Sequence, residues 1–354
     1  MSTIATNESQ LAKDWAALKA ENPKIRIRNA ALVLKTTEAQ LLATQCGTTV
    51  TRLRNEHRVI LQEIKKLGRV MALTRNNSVV HERKGEYLND SISKAPVGLF
   101  VNEDIDLRIF FSSWQSVFAV SETARGKERL SIQFFAKDGE AVHKIYLIED
   151  SNKEAYHILV NKYKSAEQTQ TESVIAPEKP TPELPDTDID VVAFQKDWLG
   201  LTDTHHFFGL LKKHKLKREQ ALRLAPKGNY YAVKVSTNAL RQCITLAATS
   251  ETPIMVFVGN QGMIQIHTGQ VKRLLDHEGW FNVMDPDFNL HVKEADITNA
   301  WIVRKPSEDG IVTALECFDK DGVQIVQLFG KRKPGIPELE SWREIVQQVQ
   351  DNAQ

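Results

Sequence analysis

Landmarks in the first half of this 354-residue chain recur in the second half at an almost constant distance. Lys13-Asp14-Trp15 matches Lys196-Asp197-Trp198, and 198 − 15 = 183. Leu107 matches Leu290 and Phe135-Ala136-Lys137-Asp138-Gly139 matches Phe318-Asp319-Lys320-Asp321-Gly322, both again at 183. Asn76 and Gly85 match Asn260 and Gly269 at 184. So steady a shift, held over the length of a domain, reads as internal duplication. The competing reading is two unrelated α+β domains with similar turns. A length of 354 residues also suggests about two domains. Between the copies, Ala166 to Asp190 gathers Pro177, Pro180, Pro182 and Pro185 among Glu, Thr and Gln, which reads as an exposed, proline-stiffened linker. The organisation expected is therefore an N-terminal repeat over 1–165, a linker over 166–190 and a C-terminal repeat over 191–354.

Each copy begins helical. Val50 to Leu67 has apolar residues at helical spacing, and its counterpart is roughly Ser236 to Ala248. Strands follow: Leu130–Phe135 and Ala141–Leu147 flank Lys137-Asp138-Gly139, while Val312–Phe318 and Val323–Phe329 flank Lys320-Asp321-Gly322. Asp-Gly between apolar runs predicts a hairpin with a type I′ turn, whose two central residues both need positive φ. Helices, then consecutive antiparallel strands, then a closing helix give an α+β layout without the β-α-β alternation of a parallel sheet.

The charge balance removes several function classes. Lys+Arg number 46 against 45 Asp+Glu, a net +1, so no whole-protein field draws the chain to nucleic acid or an acidic membrane. Cys46, Cys243 and Cys317 are odd in number, distant and without C-x-x-C, which fits a reducing compartment better than a disulfide framework. Met1 to Gln10 is polar, with no apolar core of a secretory signal, and no stretch approaches the roughly 18 apolar residues of a membrane span. The location expected is the cytoplasm.

The most unusual local stretch runs from Thr202 to His214. Asp203 or Thr204 can cap a helix whose core face carries Phe207, Leu210, Leu211 and His214 at i, i+3, i+4, i+7. His205 points elsewhere, with Gly209 one turn below it, which leaves open space beside the imidazole for a flat ligand. In a first helical turn the imidazole is expected to be neutral and free to bind metal. A capping or surface histidine that happens to precede a glycine is the plainer alternative. The first copy has Asn22 at this place (205 − 183 = 22), so only the second copy supplies the ligand.

Arg108 is a second candidate: in Asp106–Phe111, period two puts Leu107, Ile109 and Phe111 on one face and Arg108 beside Phe110 on the other. The equivalent face of the second copy carries Asn289, His291 and Lys293. Gln327, Phe329, Lys331 and Arg332 close the last strand, and Arg218 follows the His205 helix; such cations suit carboxylates at the rim of an apolar cleft, or an ordinary charged surface. Phosphate-loop, dinucleotide-binding and H-E-x-x-H patterns are absent, and no C-x-x-C-H attaches haem covalently.

Several stretches together resemble the HemS/ChuS/ShuS/PhuS family of cytoplasmic haem-handling proteins from bacterial haem-uptake systems: DLRIFFSSWQSVF at 106–118, TARGKERLSIQFF at 123–135, DTHHFFGLLKKH at 203–214, IMVFVGNQGMIQIHTG at 254–269, WIVRKPSEDG at 301–310 and QIVQLFGKR at 324–332. The resemblance runs from Trp15 to Trp342. It implies a tandem repeat in which each half is a large antiparallel sheet flanked by helices, with a haem cleft between the halves. It implies non-covalent haem b, ligated by His205 in the D-x-H-x-F-F pattern, with Arg108 as the distal and reactive-side residue. Family residues near the propionates fall on Arg218, Lys293, Gln327 and Arg332. Phe329 departs from the family's tyrosine and has no hydroxyl to offer a propionate. His206 departs from a common glutamine and is the alternative ligand, and His81 raises a second, weaker haem site.

The function this implies is a haem-binding protein that receives imported haem and traffics or buffers it for iron acquisition, with a haem importer or a haem oxygenase as donor or acceptor and a homodimer as a possible assembly. A haem-degrading enzyme using an external electron donor is the alternative. An interaction module that binds DNA through Lys212, Lys213, Lys215, Lys217 and Arg218 is the third class, and strong salt dependence would mark it.

Overall fold

Period-two burial marks an equivalent strand in each repeat. Val70, Ala72 and Thr74 are buried along one strand while their neighbours are not, and Ile254, Val256 and Val258 do the same along another, 184 residues later. The computed structural model describes residues 9–124, 126–177, 181–226, 230–333 and 335–352. Pro180, one of the four linker prolines, lies outside the described residues.

The first half contains helices α1 (Gln10–Glu21), α2 (Ile27–Val33) and α3 (Glu38–Ala43), strand β1 (Val50–Arg52), and helix α4 (His57–Glu63). Strands β2 (Val70–Arg75), β3 (Val79–Gly85), β4 (Asp90–Ser91), β5 (Val97–Val101), β6 (Asp106–Phe110), β7 (Trp114–Ala124), β8 (Lys127–Ala136) and β9 (Ala141–Leu147) follow, closed by α5 (Lys153–Tyr163). The second half has α6 (Val191–Leu199), α7 (His206–Lys213), α8 (Arg218–Arg223), β10 (Ala232–Val235) and α9 (Ala239–Thr249). It continues with β11 (Ile254–Gly259), β12 (Met263–Gly269), β13 (Leu274–His277), β14 (Trp280–Met284), β15 (Phe288–Val292), β16 (Asn299–Ser307), β17 (Gly310–Phe318) and β18 (Gln324–Gly330), closed by α10 (Glu340–Asp351). No helix among the described residues is long and apolar enough to cross a membrane.

The chain divides into two units that are not contiguous in sequence: residues 1–74, 84–178 and 260–264 form one, and residues 75–83, 179–259 and 265–354 the other. In the first unit β1, β7, β8, β9 and β2 form an antiparallel sheet in that order, and β4, β5 and β6 pair separately. In the second, β10, β16, β17, β18 and β11 form the equivalent sheet, and β3, β15, β14 and β13 form another ladder. The registers repeat as well. Ala119 faces Ile132 and Ile132 faces Ile145, while Ile302 faces Leu315 and Leu315 faces Leu328, so all three positions shift by 183. A one-residue slip would reverse every side chain in a strand, so a shared register means that both repeats bury the same faces.

Two local expectations differ from the fold. Val50 to Leu67 is a short strand followed by α4 and a 3-10 turn over Ile64–Leu67, because Val50 and Leu53 are buried against the sheet rather than on a helical stripe. The Asp-Gly hairpins are not type I′: Gly139 (φ 81°) and Gly322 (φ 68°) take positive φ, while the aspartates before them do not. Asp138 and Asp319 instead accept backbone N–H groups two residues on, which holds an Asx turn and leaves one left-handed position for glycine.

The second-unit core packs α9 and α10 on one face of the sheet, with Leu240, Cys243, Ile244, Trp342, Ile345 and Val346 against Val256, Ile302, Leu315 and Leu328. Gly330 is required there, since a Cβ would stand 2.6 Å from the Trp342 Cβ. All three cysteines are buried and unbridged. The linker is tied down at both ends. Gln168 exchanges hydrogen bonds with the Arg52 backbone and Arg52 pairs with Glu172, while Gln220 donates to the Leu184 carbonyl and to Asp186.

Buried histidines make the fold acid-sensitive. Burial holds His57 down to about 4 and His143 down to about 3; His143 sits neutral between the Tyr87 hydroxyl (2.6 Å) and Thr74 (2.8 Å). His267, stacked on Phe288 at 3.7 Å, is held low by burial with the Arg83 charge adding to it. His81 is fully buried against the same ring. An unfolded histidine binds a proton below its ordinary 6.5, whereas folded His57, His143 and His267 do so only at lower pH. The histidine contribution is thus whole above pH 6.5 and lost toward pH 4, at up to about 1.4 kcal/mol per pH unit for each group. Thermal melts should show the midpoint falling steadily from about pH 7 to about pH 5. A flat profile would mean that these imidazoles take up protons without disturbing the core.

Candidate functional site

Helix α7 has only eight residues, too few to be stable alone, so its position depends on packing. Phe207, Leu210 and Leu211 are buried among Trp198, Trp301, Val303 and Phe318, with Phe207 edge-on to Trp198 at 4.8 Å. His214 closes the buried side through Asp197 at 2.7 Å. This is the core face that the spacing predicts.

His205 is the residue just before the helix rather than in its first turn, and its side chain is 83% exposed. Asp203 holds it twice over: one carboxylate oxygen accepts the His205 backbone N–H at 2.8 Å and lies 2.6 Å from Nδ1. The backbone donor, with the imidazole contacts, keeps Asp203 below the usual carboxylate range. A carboxylate accepts and does not donate, so the neutral ring carries its proton on Nδ1 and turns a free Nε2 lone pair to solvent. A carboxylate behind a ligating imidazole fixes its tautomer and raises its basicity in this way. A Cβ placed on Gly209 would meet nothing within 4 Å, so the space beside the helix is open. His206 and Phe208 are exposed on the same short helix, Phe208 at 74%.

The strand registers bring several other candidates to one face of the second-unit sheet. Trp301 faces Glu316, Glu316 faces Gln327, and Gln327 faces Phe257; Ala314 faces Phe329, which faces Met255. One end of this face lies under α7. At the other, Met255, Phe257, Gln327 and Phe329 stay half-exposed, with Phe257 and Phe329 ring to ring at 5.0 Å. The result is an apolar floor with one amide set into it.

The cations are more constrained than their spacing suggests. Arg218 is not a free rim charge: its Nε and Nη2 clasp Glu316 at 2.7 and 2.8 Å. Arg332 pairs with Asp309 at 3.3 Å, and the exposed Lys293 lies 3.5 Å from Asp296. Lys213 is paired with Asp197, which interrupts the basic strip with Lys212, Lys215 and Lys217. In the first unit Arg108 shares its face of β6 with Asp106 and Phe110, with Leu107 and Ile109 buried on the other; Phe111 has left the strand for a 3-10 turn. The Arg108 guanidinium pairs with Asp106, a carboxyl that burial pushes up and Arg108 pulls back. Met255, Phe257, Lys305 and Glu316 did not stand out from sequence. Their signal was the alternation of β11, β16 and β17, which becomes a site only once the strand registers are known.

Comparison with known proteins agrees with this architecture. The model of the haemin-degrading HemS.ChuX domain matches twice, over residues 35–163 and 215–349. The hemin transport protein HemS of Yersinia enterocolitica is 38% identical over 335 residues, 94% of this chain and 95% of that protein. The holo form of PhuS, a haem-binding protein from Pseudomonas aeruginosa, superposes with a TM-score of 0.93 at 46% identity, covering 96% of this chain and 98% of PhuS. ChuS, a haem-degrading enzyme from Escherichia coli O157:H7, gives a TM-score of 0.88 at 35% identity, covering 96% and 98%. His205 falls between the two matched segments of the domain model, so its role rests on its own geometry and on the D-x-H-x-F-F pattern.

The hydrogen bond that Asp203 accepts from His205 Nδ1 has a signature of its own. Nitrogen NMR of the neutral His205 ring should report Nδ1–H in this protein and a shift toward Nε2–H in Asp203→Ala. Identical tautomers in both would show that the carboxylate does not orient the ring.

Proposed function

This chain belongs to the family of proteins built on the haemin-degrading HemS.ChuX domain, and from that premise we propose that it binds one haem b and passes it on after uptake, with His205 Nε2 as the iron ligand. The observation that carries the proposal is the Asp203–His205 arrangement: an exposed imidazole whose other nitrogen is already committed at 2.6 Å, above open space at Gly209. Haem is a flat apolar ring with two carboxylates at one edge, and it brings redox chemistry wherever it is held. The half-exposed Met255, Phe257 and Phe329 offer ring contacts, and Gln327 offers an amide where Phe329 has no hydroxyl. Arg218, Lys293 and Arg332 are the propionate partners that the family resemblance assigns; Arg218 would act through the edge of its guanidinium that Glu316 leaves open.

Arg108 is proposed as the distal residue. Asp106 tethers the guanidinium, so it can donate to a water or hydroxide without itself ligating iron. A handling protein needs haem held firmly but releasably, and a single exposed imidazole suits that better than a buried two-ligand clamp. The donor and acceptor proposed are a haem importer and a haem oxygenase, and the site of action is the cytoplasm.

Degradation is the second reading, favoured by the name of ChuS, which at 35% identity is called a haem-degrading enzyme. The two readings share the same site and differ in what a reductant does to the complex.

A hemin titration followed by absorbance should show a saturable Soret shift at about one equivalent, weakened or displaced in His205→Ala. Arg108→Ala should keep the affinity but alter the distal signature. Ascorbate under air would then leave the Soret band of a carrier in place and bleach that of an enzyme. No saturable shift would reject haem binding, and an unchanged spectrum in His205→Ala would move the ligand to His206.

A further inference from the structure

Glu316 is fully buried, yet two cations and an amide from three different elements converge on it. Arg218 reaches it from α8 through two nitrogens, Lys305 Nζ from β16 at 2.8 Å, and Gln324 Nε2 from β18 at 3.0 Å. Burial pushes this carboxyl up, but Arg218 and Lys305 outweigh it and hold it down to about 2. Lys305 is itself buried, and burial holds it down to about 8 against the pull of Glu316. Both cations also lie against one ring. The Phe207 centroid is 4.3 Å from Lys305 Nζ and 5.4 Å from the Arg218 guanidinium carbon. Phe207 stands two residues after His205, in the first turn of a helix whose start has no side-chain cap of its own.

The duplication supplies an independent observation. The equivalents of Glu316 and Lys305 in the first repeat are Gln133 and Glu122 (316 − 183 and 305 − 183), and those of His205 and Phe207 are Asn22 and Lys24. Gln133 spends its amide on Ser131 at 2.9 Å. Glu316, Lys305 and His205 thus have no counterparts of their kind in the first repeat, which instead joins Arg28, Glu38 and Lys144 at other positions. Fold alone does not demand the cluster, because the first repeat builds the same sheet in the same register without it.

We propose that Glu316 and Lys305 are positioning residues for the His205 site: the Arg218–Glu316–Lys305 cluster grips Phe207, and so fixes where the start of α7 presents the imidazole. This rests on the reading of His205 as haem ligand. The cluster carries two positive charges and one negative, so Glu316→Gln would leave the buried Lys305 and the half-buried Arg218 without a counter-charge, and Lys305→Met would remove one face of the grip. The groups facing Lys305 are Glu316 on β17, Arg218 on α8 and the Phe207 ring on α7.

The test uses the full chain, with folding of each variant checked by thermal melt. Lys305→Met and Glu316→Gln should each shift the His205 ring signals in NMR spectra of the haem-free protein. Each should also release haem to an excess of apomyoglobin about tenfold faster, equivalent to about 1.4 kcal/mol. Release from the unaltered protein should speed up as pH rises from about 7 to about 9 and Lys305 loses its proton, while Lys305→Met should show no such step. A merely structural lysine would not produce that difference in pH profile. If Glu316→Gln fails to fold, Lys305→Met, a neutral replacement of similar length, carries the test. Unchanged His205 signals together with unchanged release and pH profile in Lys305→Met would overturn the proposal. The haem-free spectra keep the two claims apart: a normal haem complex in His205→Ala rejects the ligand assignment, whereas shifted His205 signals in the cluster variants still register the positioning.

Discussion

An antiparallel sheet has two faces, and in the second unit the helices do not cover both equally. Helices α9 and α10 pack on one face, with Trp342 lodged against Gly330 and its indole N–H on the Thr313 carbonyl. The other face is sealed only where α6, α7 and α8 lie over Trp301, Val303 and Phe318. Beyond them Met255, Phe257, Gln327 and Phe329 remain half-exposed on a rigid floor. Apolar side chains left at the surface of a well-packed sheet mark a ligand face more often than they mark poor design. The proposed site falls where the covering helix stops, and α7, at the edge of that cover, is the element that follows the histidine.

Duplication sets the frame and divergence sets the chemistry. The two main sheets pair their strands through equivalent residues, so both repeats obey the same backbone constraint. Buried charges are then placed at different points of the two sheets. The first repeat buries Lys144 against Glu38, while the second buries Glu316 between Arg218 and Lys305. A buried ion pair adds little net stability over an apolar pair of the same shape, so its identity is free to drift wherever only the fold is at stake. Ion pairs at different positions are what such drift produces, since Gln133 stands at the place of Glu316 and Gln327 at that of Lys144, with one version beside the histidine.

Much of this was legible in the sequence, for physical reasons that differ by element. Ala141–Leu147 could be read because an apolar run beside an Asp-Gly turn is a local signal, and β9 spans those residues. The stripe of Phe207, Leu210 and Leu211 could be read because helical spacing alone puts them on one side. Val50–Leu67 misled because a short buried strand and a short helix both hold apolar residues three or four apart, and only tertiary contact decides between them. Arg218 looked like a free rim cation because nothing local reveals a partner 98 residues away in Glu316. Asp203 was recognised as a possible cap; its bond to Nδ1 of His205 depends on a turn geometry that the sequence does not display.

The central claim is that iron meets this protein at His205. Crystals of the haem-loaded protein, measured at the iron absorption edge, would locate the metal without assumptions about spectra. The account predicts a single anomalous peak within bonding distance of His205 Nε2, with Nδ1 still on Asp203. A peak at His206, or one away from the start of α7, would contradict it.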